Sequence, residues 1–578
     1  MAEAKKPGEE FPTESDHDTS DLTDAERGED VQSRSAIGEV LYYFKEGVVV
    51  LFSLIFALTK GLFQIPILIV GMHLDAVRAL RPAAAGEAPV SKVAKRAARL
   101  QQAKSLAVFW EKRWFIIAMG VGVVLLSIPT PEGLTSAGMA VLTMSVVATI
   151  LFVTEPVPLP TVALLIVVAQ VLLLGLDSSD VARSLMKDSV LFIMGSLMLA
   201  VAVVKQKLDK RIAFFIVKMT GTKTARIAFG ITVVSGLLAS FIGEHTVAAM
   251  MLPVGITLIT LTSDDPKKVR NLAAVLLFSI SYGCSVAGIG TPSGGARNAI
   301  MIGYWKDFFY DPTNPETFKF LIDYVKWMTF AYPMFLLQIP FVTIILLFTF
   351  KPEYKDLSRA VVKLRAQIEE QGPMKGADYV SIFLFVLILL GWILVSGQIG
   401  MGTVAVLGAA MFLVAGLVKW EDVNSGVNWG VVLLYAAAIS LGVQMKDTGA
   451  AKWVAESFLA MLEPIGASEG YGLWAAVSVL TTGVTNTMSN GAAVAVLGPI
   501  VLNLATAANE SPIIIGFITA VSSAFAYLTV VGTPACTIVY ASGYLKTTDF
   551  LNVGWKMAVM STIVMLVAAA IYWPMLGV

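Results

Sequence analysis

Apolar stretches long enough to cross a lipid bilayer follow one another along most of this chain. A transmembrane helix needs about 20 apolar residues, and short polar connections separate the stretches. The pattern predicts two similar series of helices. The first series is 114–130, 136–153, 158–176, 189–205, 225–242, 247–262, 271–302 and 320–349, and the second is 378–395, 400–418, 428–445, a pair within 468–508, 511–546 and 553–576. We therefore expect an all-α polytopic membrane protein.

Two of the predicted elements are pairs of apolar arms that enclose a polar tip. Gly243-Glu244-His245-Thr246 separates the arms of the first pair, and Ser489-Asn490-Gly491 lies between the arms of the second. Each pair is short for two complete spans and a polar junction, which favours a re-entrant hairpin. Polar side chains at membrane depth are typical of functional sites.

A Gly-Thr-Pro sequence interrupts the apolar helix that follows each hairpin. The two sequences are Gly290-Thr291-Pro292 and Gly532-Thr533-Pro534. Proline removes an amide hydrogen and glycine accepts unusual dihedral angles, so nearby carbonyl groups lose their helical partners. In lipid these carbonyls need another partner, which is either a neighbouring helix or a bound cation. Because each break follows a polar tip, the pattern favours a binding site over two simple proline kinks.

The tips and breaks recur at nearly constant spacing. Gly243 precedes Ser489 by 246 residues, and Thr291 precedes Thr533 by 242. After the span at 114–130, each half contains five spans and a hairpin, and an odd number of spans makes the halves face opposite ways. Two inverted repeats, each with a re-entrant hairpin and a broken helix, are typical of secondary transporters with alternating access.

Composition places most of the chain in the membrane and sets the N-terminal region apart. Hydrophobic residues make up 56% of the 578 residues and charged residues 15%, which excludes a set of soluble domains. Basic residues before the first span predict a cytoplasmic N-terminal region in a multi-pass plasma (inner) membrane protein. The divisions expected are a disordered acidic tail at 1–36, a membrane-associated and basic region at 37–113, the first span and first repeat at 114–349, a cytoplasmic linker helix at 350–377, and the second repeat at 378–578. Whether 38–74 spans the membrane, re-enters it or lies on its surface stays open.

Charge and cysteine content exclude several other classes of protein. The chain has 42 basic and 42 acidic residues and lacks a basic face with interleaved aromatic residues, so nucleic acid is not expected as a partner. The two cysteines, Cys284 and Cys536, lie in apolar segments without the spacing of a disulfide framework or zinc site. No nucleophile with a base and an orienting group can be assembled, so we expect neither an enzyme nor a cofactor other than coupling ions.

Several strings in the chain resemble the divalent anion/sodium symporter family. They are TEPVPL at 154–159, AAMMLP at 248–253, SVAGIGTP at 285–292 and VGTPACTIVYASGY at 531–544. The resemblance covers residues 114 to 576 and implies homodimeric, elevator-type transport of dicarboxylates, tricarboxylates, sulfate or related anions, commonly with sodium. It also implies that a Ser-Asn-Thr triplet at each tip contacts the anion, and that sodium lies between each tip and the adjacent helix break.

Carried over by position, the second tip supplies Ser489, Asn490 and Gly491, whereas the first supplies Gly243, Glu244 and His245. The first tip thus departs from the family triplet. Residues 293–298, which follow the first break, also differ from the shorter segment that the family has at this place. The substrate-binding residues predicted are Ser489, Asn490, Gly491, His245, Thr246, Thr291, Pro292, Thr533, Pro534 and Arg297. The residues predicted to bind the cation, Na⁺ if the protein is sodium-coupled, are Gly243, Glu244, Gly290, Thr485, Thr487, Asn490 and Gly532.

The ionisable residues of the first tip allow several roles. An unpaired charge at membrane depth costs several kcal/mol, which favours a function for Glu244 and His245. Glu244 and His245 are candidate proton carriers, and Glu244 is also a candidate sodium ligand. Alternatively, Glu244 forms a structural bridge with His245 or Arg297 that locks the tip. Arg297 either binds the anion with its planar fork or extends to the membrane interface.

The function expected is secondary active transport. The chain is predicted to be a sodium-coupled or proton-coupled symporter of a small anion such as a di- or tricarboxylate, sulfate or sulfonate. The alternative is a sodium/proton antiporter of the same superfamily that binds no organic substrate. A third possibility is a membrane receptor or scaffold that uses its N-terminal region to bind a partner. The partners expected are the anion, the bilayer and a second copy of the chain.

Overall fold

The computed structural model describes residues 112–206, 220–369 and 375–577. The acidic tail at 1–36 and residues 37–111 of the predicted N-terminal region lie outside the described residues, as does the segment 38–74. The principal helices are α1 (Arg113–Ser127), α2 (Ser136–Thr154), α3 (Leu159–Leu174), α4 (Ser178–Leu185), α5 (Asp188–Lys205), α6 (Thr224–Ile242), α7 (Glu244–Thr262), α8 (Arg270–Ala287), α9 (Ala296–Phe309), α10 (Tyr324–Thr349), α11 (Ser358–Glu369), α12 (Gly376–Leu394), α13 (Met401–Val414), α14 (Trp420–Gly426), α15 (Trp429–Asp447), α16 (Ala450–Leu462), α17 (Gly470–Thr485), α18 (Asn490–Ala507), α19 (Pro512–Ser522), α20 (Pro534–Tyr540) and α21 (Thr547–Val567).

The described residues form an all-α membrane protein, as the sequence predicted. Ten of their helical segments are long and apolar enough to cross a membrane. Large apolar side chains point outward from several of them, including Leu172, Phe348 and Val414, which are 74%, 77% and 89% exposed. Lipid tails solvate such side chains as well as a protein core does, so their exposure is consistent with a surface that faces the bilayer.

Two helices form the centre of the protein. In α8 every residue from Leu272 to Ala287 is buried, and in α19 every residue from Ile513 to Ser522 is buried. A helix that is buried along its whole length has no face toward lipid or water, so other helices of the protein surround it. Each of these helices ends at one of the predicted breaks, which places both breaks in the interior.

The same order of elements occurs twice around these central helices. The hairpin α6–α7 precedes α8, the first break and α9, and the hairpin α17–α18 precedes α19, the second break and α20. A long helix, α10 or α21, follows each set. The predicted order of hairpin and broken helix is therefore present in both halves, while the inverted orientation of the halves stays a prediction.

The two tips differ in their backbone. Gly243 alone joins α6 to α7, with φ of 87°, a value that glycine adopts far more readily than other residues. Glu244, His245 and Thr246 are helical, so the first tip is tighter than the four-residue junction that the sequence predicted. The second tip is wider, because α17 ends at Thr485 and α18 begins at Asn490.

The two breaks also differ in length. The first extends from Gly288 to Gly295 and includes a 3₁₀ turn at Pro292–Gly294. The second extends from Ser523 to Thr533 and contains turns and bends but no helical residue. The first begins two residues before its Gly-Thr-Pro sequence and the second nine residues before its own, because each preceding helix ends before that sequence.

Candidate functional site

The two hairpin tips meet in the interior of the protein. The side-chain amide of Asn490, at the start of α18, donates a hydrogen bond of 3.1 Å to Oε1 of Glu244, at the start of α7. These residues are 246 positions apart, which is the spacing between the two tips. Glu244 and Asn490 are thus equivalent residues of the two halves, and their contact joins the halves where their tips converge.

Glu244 forms a buried ion pair with Arg297 in the first turn of α9. Nη1 of Arg297 lies 3.2 Å from Oε1 of Glu244, and the side chains are 1% and 9% exposed, respectively. Breaking such a pair leaves a buried charge without compensation and costs about 3–5 kcal/mol. The pair therefore fixes the first tip against the helix that follows the first break.

Two glycines of the first break make room for the guanidinium group. A Cβ atom on Gly295 would lie 2.7 Å from Nη1 of Arg297, and one on Gly288 would overlap Nη2. Oε2 of Glu244 and Nε and Nη2 of Arg297 are buried and make no hydrogen bond within the described part of the chain. The guanidinium thus fills the space between the tip and the broken backbone.

Side chains of the protein satisfy the carbonyl groups of the first break. The amide of Asn298 donates to the carbonyls of Gly288 and Thr291, at 2.7 Å each. The indole of Trp327 donates to the carbonyl of Ile289 at 2.8 Å. These carbonyls are the groups that the sequence offered to a cation, and the protein itself supplies their hydrogen-bond donors.

The hydroxyl of Thr291 ties the first break to the hairpin. It donates to the backbone carbonyl of Ser240 on α6 and lies 3.1 Å from the hydroxyl of Ser293. Ser293 in turn contacts the hydroxyl of Tyr324 at 2.8 Å. Thr291 therefore serves the contact between break and hairpin rather than lying open beside the tip.

Neutral oxygen atoms surround the second tip. The hydroxyl of Thr485 lies 3.0 Å from Oδ1 of Asn490 and 2.6 Å from the carbonyl oxygen of Ser523, at the start of the second break. All three residues are buried. Side-chain, hydroxyl and carbonyl oxygens of this kind suit an alkali cation, so this cluster fits the predicted sodium site.

Asn486 connects the second tip to the second break. Its amide donates to the carbonyl of Phe525 at 3.1 Å, and its side-chain oxygen accepts from the amide of Leu528 at 2.9 Å. Its own carbonyl accepts from the hydroxyl of Thr529 at 2.8 Å, as that of Ser240 accepts from Thr291 in the first half. Ser240 and Asn486 are also 246 residues apart, so equivalent carbonyls of the two hairpins each accept a threonine hydroxyl from the break.

His245 does not join the ion pair. Its side chain is exposed and contacts the hydroxyl of Thr246 at 3.2 Å. Consecutive residues of a helix point in different directions, so a helical tip turns His245 away from Glu244. Of the structural bridges that the sequence allowed, the one between Glu244 and Arg297 is present. The alternative in which Arg297 extends to the membrane interface is wrong, because the side chain is buried.

Other predicted residues take local structural positions. The hydroxyl of Thr487 donates to the carbonyl of Val484, three residues earlier, at 2.7 Å. The hydroxyl of Thr533 accepts from the amide of Cys536 and caps α20. The remaining predicted positions lie in the tips or breaks. Gly243 forms the first tip, Ser489 caps α18, and Gly491, which is in α18, packs on Tyr435 of α15. Gly290 and Gly532 lie within the breaks, and Pro292 and Pro534 begin helical turns.

Sequence reasoning missed three residues that shape the site. Asn298 lies beside Arg297 in the segment that departs from the family pattern, which was a signal for its role. Ser523 acts through its backbone carbonyl, which no side-chain pattern reports. Trp327 lies on α10, a helix with many apolar residues, and nothing in its neighbourhood indicated a contact with the break.

Sulfur, imidazole and carboxylate ligands do not converge around either tip. Among residues 112–206, 220–369 and 375–577, no three His, Cys, Asp or Glu side chains are grouped so that they could hold a metal ion.

Known proteins resemble the chain over nearly all of the described residues. Residues 109–578 match the family described as the sodium:sulfate symporter transmembrane region. The sodium-dependent dicarboxylate transporter SdcS of Staphylococcus saprophyticus is 25% identical over 477 residues, which cover 78% of this chain and 89% of SdcS. An uncharacterized transporter of Haemophilus influenzae is 26% identical, and its match covers 79% of this chain and 96% of that protein.

Solved structures of two transporters also align with the chain. MtrF of Neisseria gonorrhoeae covers 80% of this chain and 94% of its own, with 12% identity and a TM-score of 0.46. The YdaH transporter of Alcanivorax borkumensis covers 65% of this chain and 84% of its own, with 13% identity and a TM-score of 0.43.

The family match includes both hairpins and both breaks. It confirms the resemblance that the strings around them indicated, and it confirms the prediction of a transporter rather than an enzyme. The chain belongs to the sodium:sulfate symporter family of membrane transporters.

Proposed function

We propose that the chain is a sodium-coupled symporter that carries a small anion across the membrane. The observation that carries this proposal is the pair of converging tips, of which the second offers a buried cluster of neutral oxygens at Thr485, Asn490 and Ser523. The family description and the sodium-dependent dicarboxylate relatives support a sodium ion and an anion as the transported species.

The anion would bind at the second tip. Ser489 and Asn490 open α18, where backbone amides at a helix N-terminus favour negative charge. Ser489 caps the helix weakly, with 3.4 Å between its hydroxyl and the amide of Ala492. Its hydroxyl is therefore able to turn toward an anionic group. We propose that a carboxylate, sulfate or sulfonate group occupies this end of α18.

Transport would follow from movement of the hairpins and breaks against the remaining helices. We propose an elevator-type movement in a homodimer, with the N-terminal region in the cytoplasm. The tips and breaks are suited to move together, because Thr291 and Thr529 connect each break to its hairpin. Light scattering of the purified protein in detergent tests the dimer, and a mass equal to one chain would contradict it.

Uptake in proteoliposomes tests the coupling ion. Vesicles that contain the purified protein receive labelled succinate, citrate, sulfate or a small sulfonate, under an inward sodium gradient or an inward proton gradient. We expect uptake of at least one anion under the sodium gradient and none when choline replaces sodium. Uptake driven by protons alone would contradict sodium coupling.

The same vesicles distinguish the antiporter. A sodium/proton antiporter would change the internal pH when sodium is added without any anion. We expect no such change, because Glu244 is paired with Arg297 in a buried contact of 3.2 Å and is not a free carboxylate. A sodium-dependent pH change in the absence of anion would favour antiport and contradict symport.

A further inference from the structure

A buried positive charge distinguishes the first half of the protein from the second. Of the Lys and Arg residues whose side chains the structure describes, Arg297 is the one that is buried, at 1% exposure. Its guanidinium lies between the carboxylate of Glu244 at the tip and the backbone of Gly288 and Gly295 at the break. The first half thus holds a permanent cation between tip and break.

The second half has no basic side chain at the equivalent place. The repeat spacing pairs Glu244 with Asn490, so the carboxylate of the first tip is replaced by a neutral amide. The spacing of 242 residues between the breaks pairs Arg297 with Val539, which is buried and apolar. Between the second tip and break lie neutral oxygens of Thr485, Asn490 and Ser523 instead of an ion pair.

The protein also supplies the other contacts that a cation would make at the first break. Asn298 donates to the carbonyls of Gly288 and Thr291, and Trp327 donates to the carbonyl of Ile289. Glu244 has Arg297 as its counter-charge. The carbonyls of Gly288, Ile289 and Thr291 therefore each have a donor, and the carboxylate of Glu244 has a positive charge, that is covalently part of the chain.

We propose that the guanidinium of Arg297 is a tethered cation, which occupies in the first half the place that an exchangeable sodium ion takes in the second. The transporter consequently couples the anion to one sodium ion fewer than it would with two exchangeable sites. Arginine stays protonated at all physiological pH values, so the tethered charge neither leaves with substrate nor carries protons. This inference rests on the proposed function for its consequence in transport.

Sodium-dependent stabilisation of the purified protein tests the tethered cation without any transport. Ligand binding to the folded state raises the thermal midpoint, and its dependence on ligand concentration reports the number of sites. The midpoint is measured in detergent over a series of sodium chloride concentrations, with choline chloride to keep the ionic strength constant. No anionic substrate is added.

The variant Arg297→Ala leaves the carboxylate of Glu244 without a counter-charge and opens space beside it. We expect the variant to bind a second sodium ion, so that the slope of its midpoint against the logarithm of sodium concentration is about twice that of the native protein. Arg297→Lys retains the charge and should keep the native slope. The double variant Glu244→Gln/Arg297→Ala removes both charges and should also keep it. Equal slopes for Arg297→Ala and the native protein would overturn the proposal.

A variant in the second half tests the same idea while Arg297 remains in place. Thr485→Val removes the hydroxyl that joins Asn490 and Ser523. We expect it to lose all sodium-dependent stabilisation, because the first half binds no exchangeable ion. Thr506→Val is the matched control, since its hydroxyl bonds only to the carbonyl of Leu502 within α18. Retention of about half of the native slope in Thr485→Val would overturn the proposal, and a failure of anion uptake would concern the proposed function alone.

Discussion

The two hairpin tips occupy equivalent places in the chain but are stabilised by different forces. The first contains an ion pair between Glu244 and Arg297, and donors from Asn298 and Trp327 satisfy its break. The second contains neutral hydrogen bonds around Thr485 and Asn490. A duplicated scaffold can therefore stabilise an interrupted helix inside the membrane either by a fixed charge pair or by neutral groups. We propose that only the neutral arrangement binds an exchangeable ion.

Breaking the ion pair should have the largest effect on stability. We expect Arg297→Ala and Glu244→Ala each to reduce the free energy of unfolding by about 3–5 kcal/mol, because each leaves one buried charge uncompensated. The double variant Glu244→Gln/Arg297→Gln should lose less than either single variant, since it buries no charge. Thermal and denaturant unfolding in detergent, with choline chloride in place of sodium, measure these changes.

An exposed ion pair provides the matched control for that comparison. Arg183 and Asp180 lie 3.4 Å apart, and their side chains are 81% and 69% exposed. Arg183→Ala should change the free energy of unfolding by less than about 1 kcal/mol, because water screens the pair. A double variant of Glu244 and Arg297 that loses the sum of the single losses would show that the two charges act independently and would contradict the paired arrangement.

Filling the space beside Arg297 should have an intermediate effect. Gly288 has φ of −59°, which alanine adopts without strain, so the cost of Gly288→Ala arises from close contacts, of which that with the guanidinium is the shortest. We expect a loss of about 1–3 kcal/mol, which is typical of overpacking. The loss should shrink in an Arg297→Ala background, because neighbouring substitutions are not additive when they share a contact.

A glycine of the second hairpin serves as the control for Gly288. Gly483 lies in α17, and a Cβ atom there would meet no atom within 4 Å. Alanine favours a helix over glycine by about 1 kcal/mol, so Gly483→Ala should leave stability unchanged or raise it. Unfolding midpoints of the two variants give the comparison, and equal losses at both positions would contradict a specific role for the space beside Arg297.

The sequence predicted the elements of this fold because lipid imposes strict rules on them. Apolar length identified the helices. The first Gly-Thr-Pro sequence lies inside its break, whereas the second marks only the end of a break that begins nine residues earlier. The recurrence of tips and breaks also predicted that Glu244 and Asn490 are equivalent. It did not predict that they touch, because a repeat in sequence gives no distance between its copies.

The contacts within the site depended on geometry that a pattern of residues does not contain. The sequence allowed Glu244 to pair with His245 or Arg297, and the choice followed from the helical first turn of α7, which separates adjacent side chains. Arg297 was expected at the anion, at the interface or in a bridge with Glu244, and the two glycines of the break admit it to the interior beside Glu244. Such choices depend on how a broken backbone closes, which Gly and Pro positions alone do not determine.

The two hairpins also differ in the contacts at the ends opposite their tips. We expect substitutions there to have the smallest effect on stability. Asp356 accepts hydrogen bonds from the hydroxyls of Ser358 and Thr222, the latter at 2.7 Å, and Thr222 lies just before α6. These bonds, with Ser358 the larger cause, lower the pKa of Asp356 from its ordinary value of 3.8. The second hairpin is held instead by Glu510, which accepts from the amide of Gly470 at 2.8 Å.

A lowered pKa in the folded state means that ionised Asp356 stabilises the protein above pH 3.8, and that this contribution disappears as the pH falls through the folded-state pKa. Asp356→Asn should therefore lower the thermal midpoint slightly at neutral pH, and the difference from the native protein should shrink on acidification. Thr222→Ala should reproduce part of this pH dependence, and the two changes together should be less than additive. A difference between Asp356→Asn and the native protein that stays constant down to acidic pH would show that Asp356 anchors the first hairpin by shape rather than by charge.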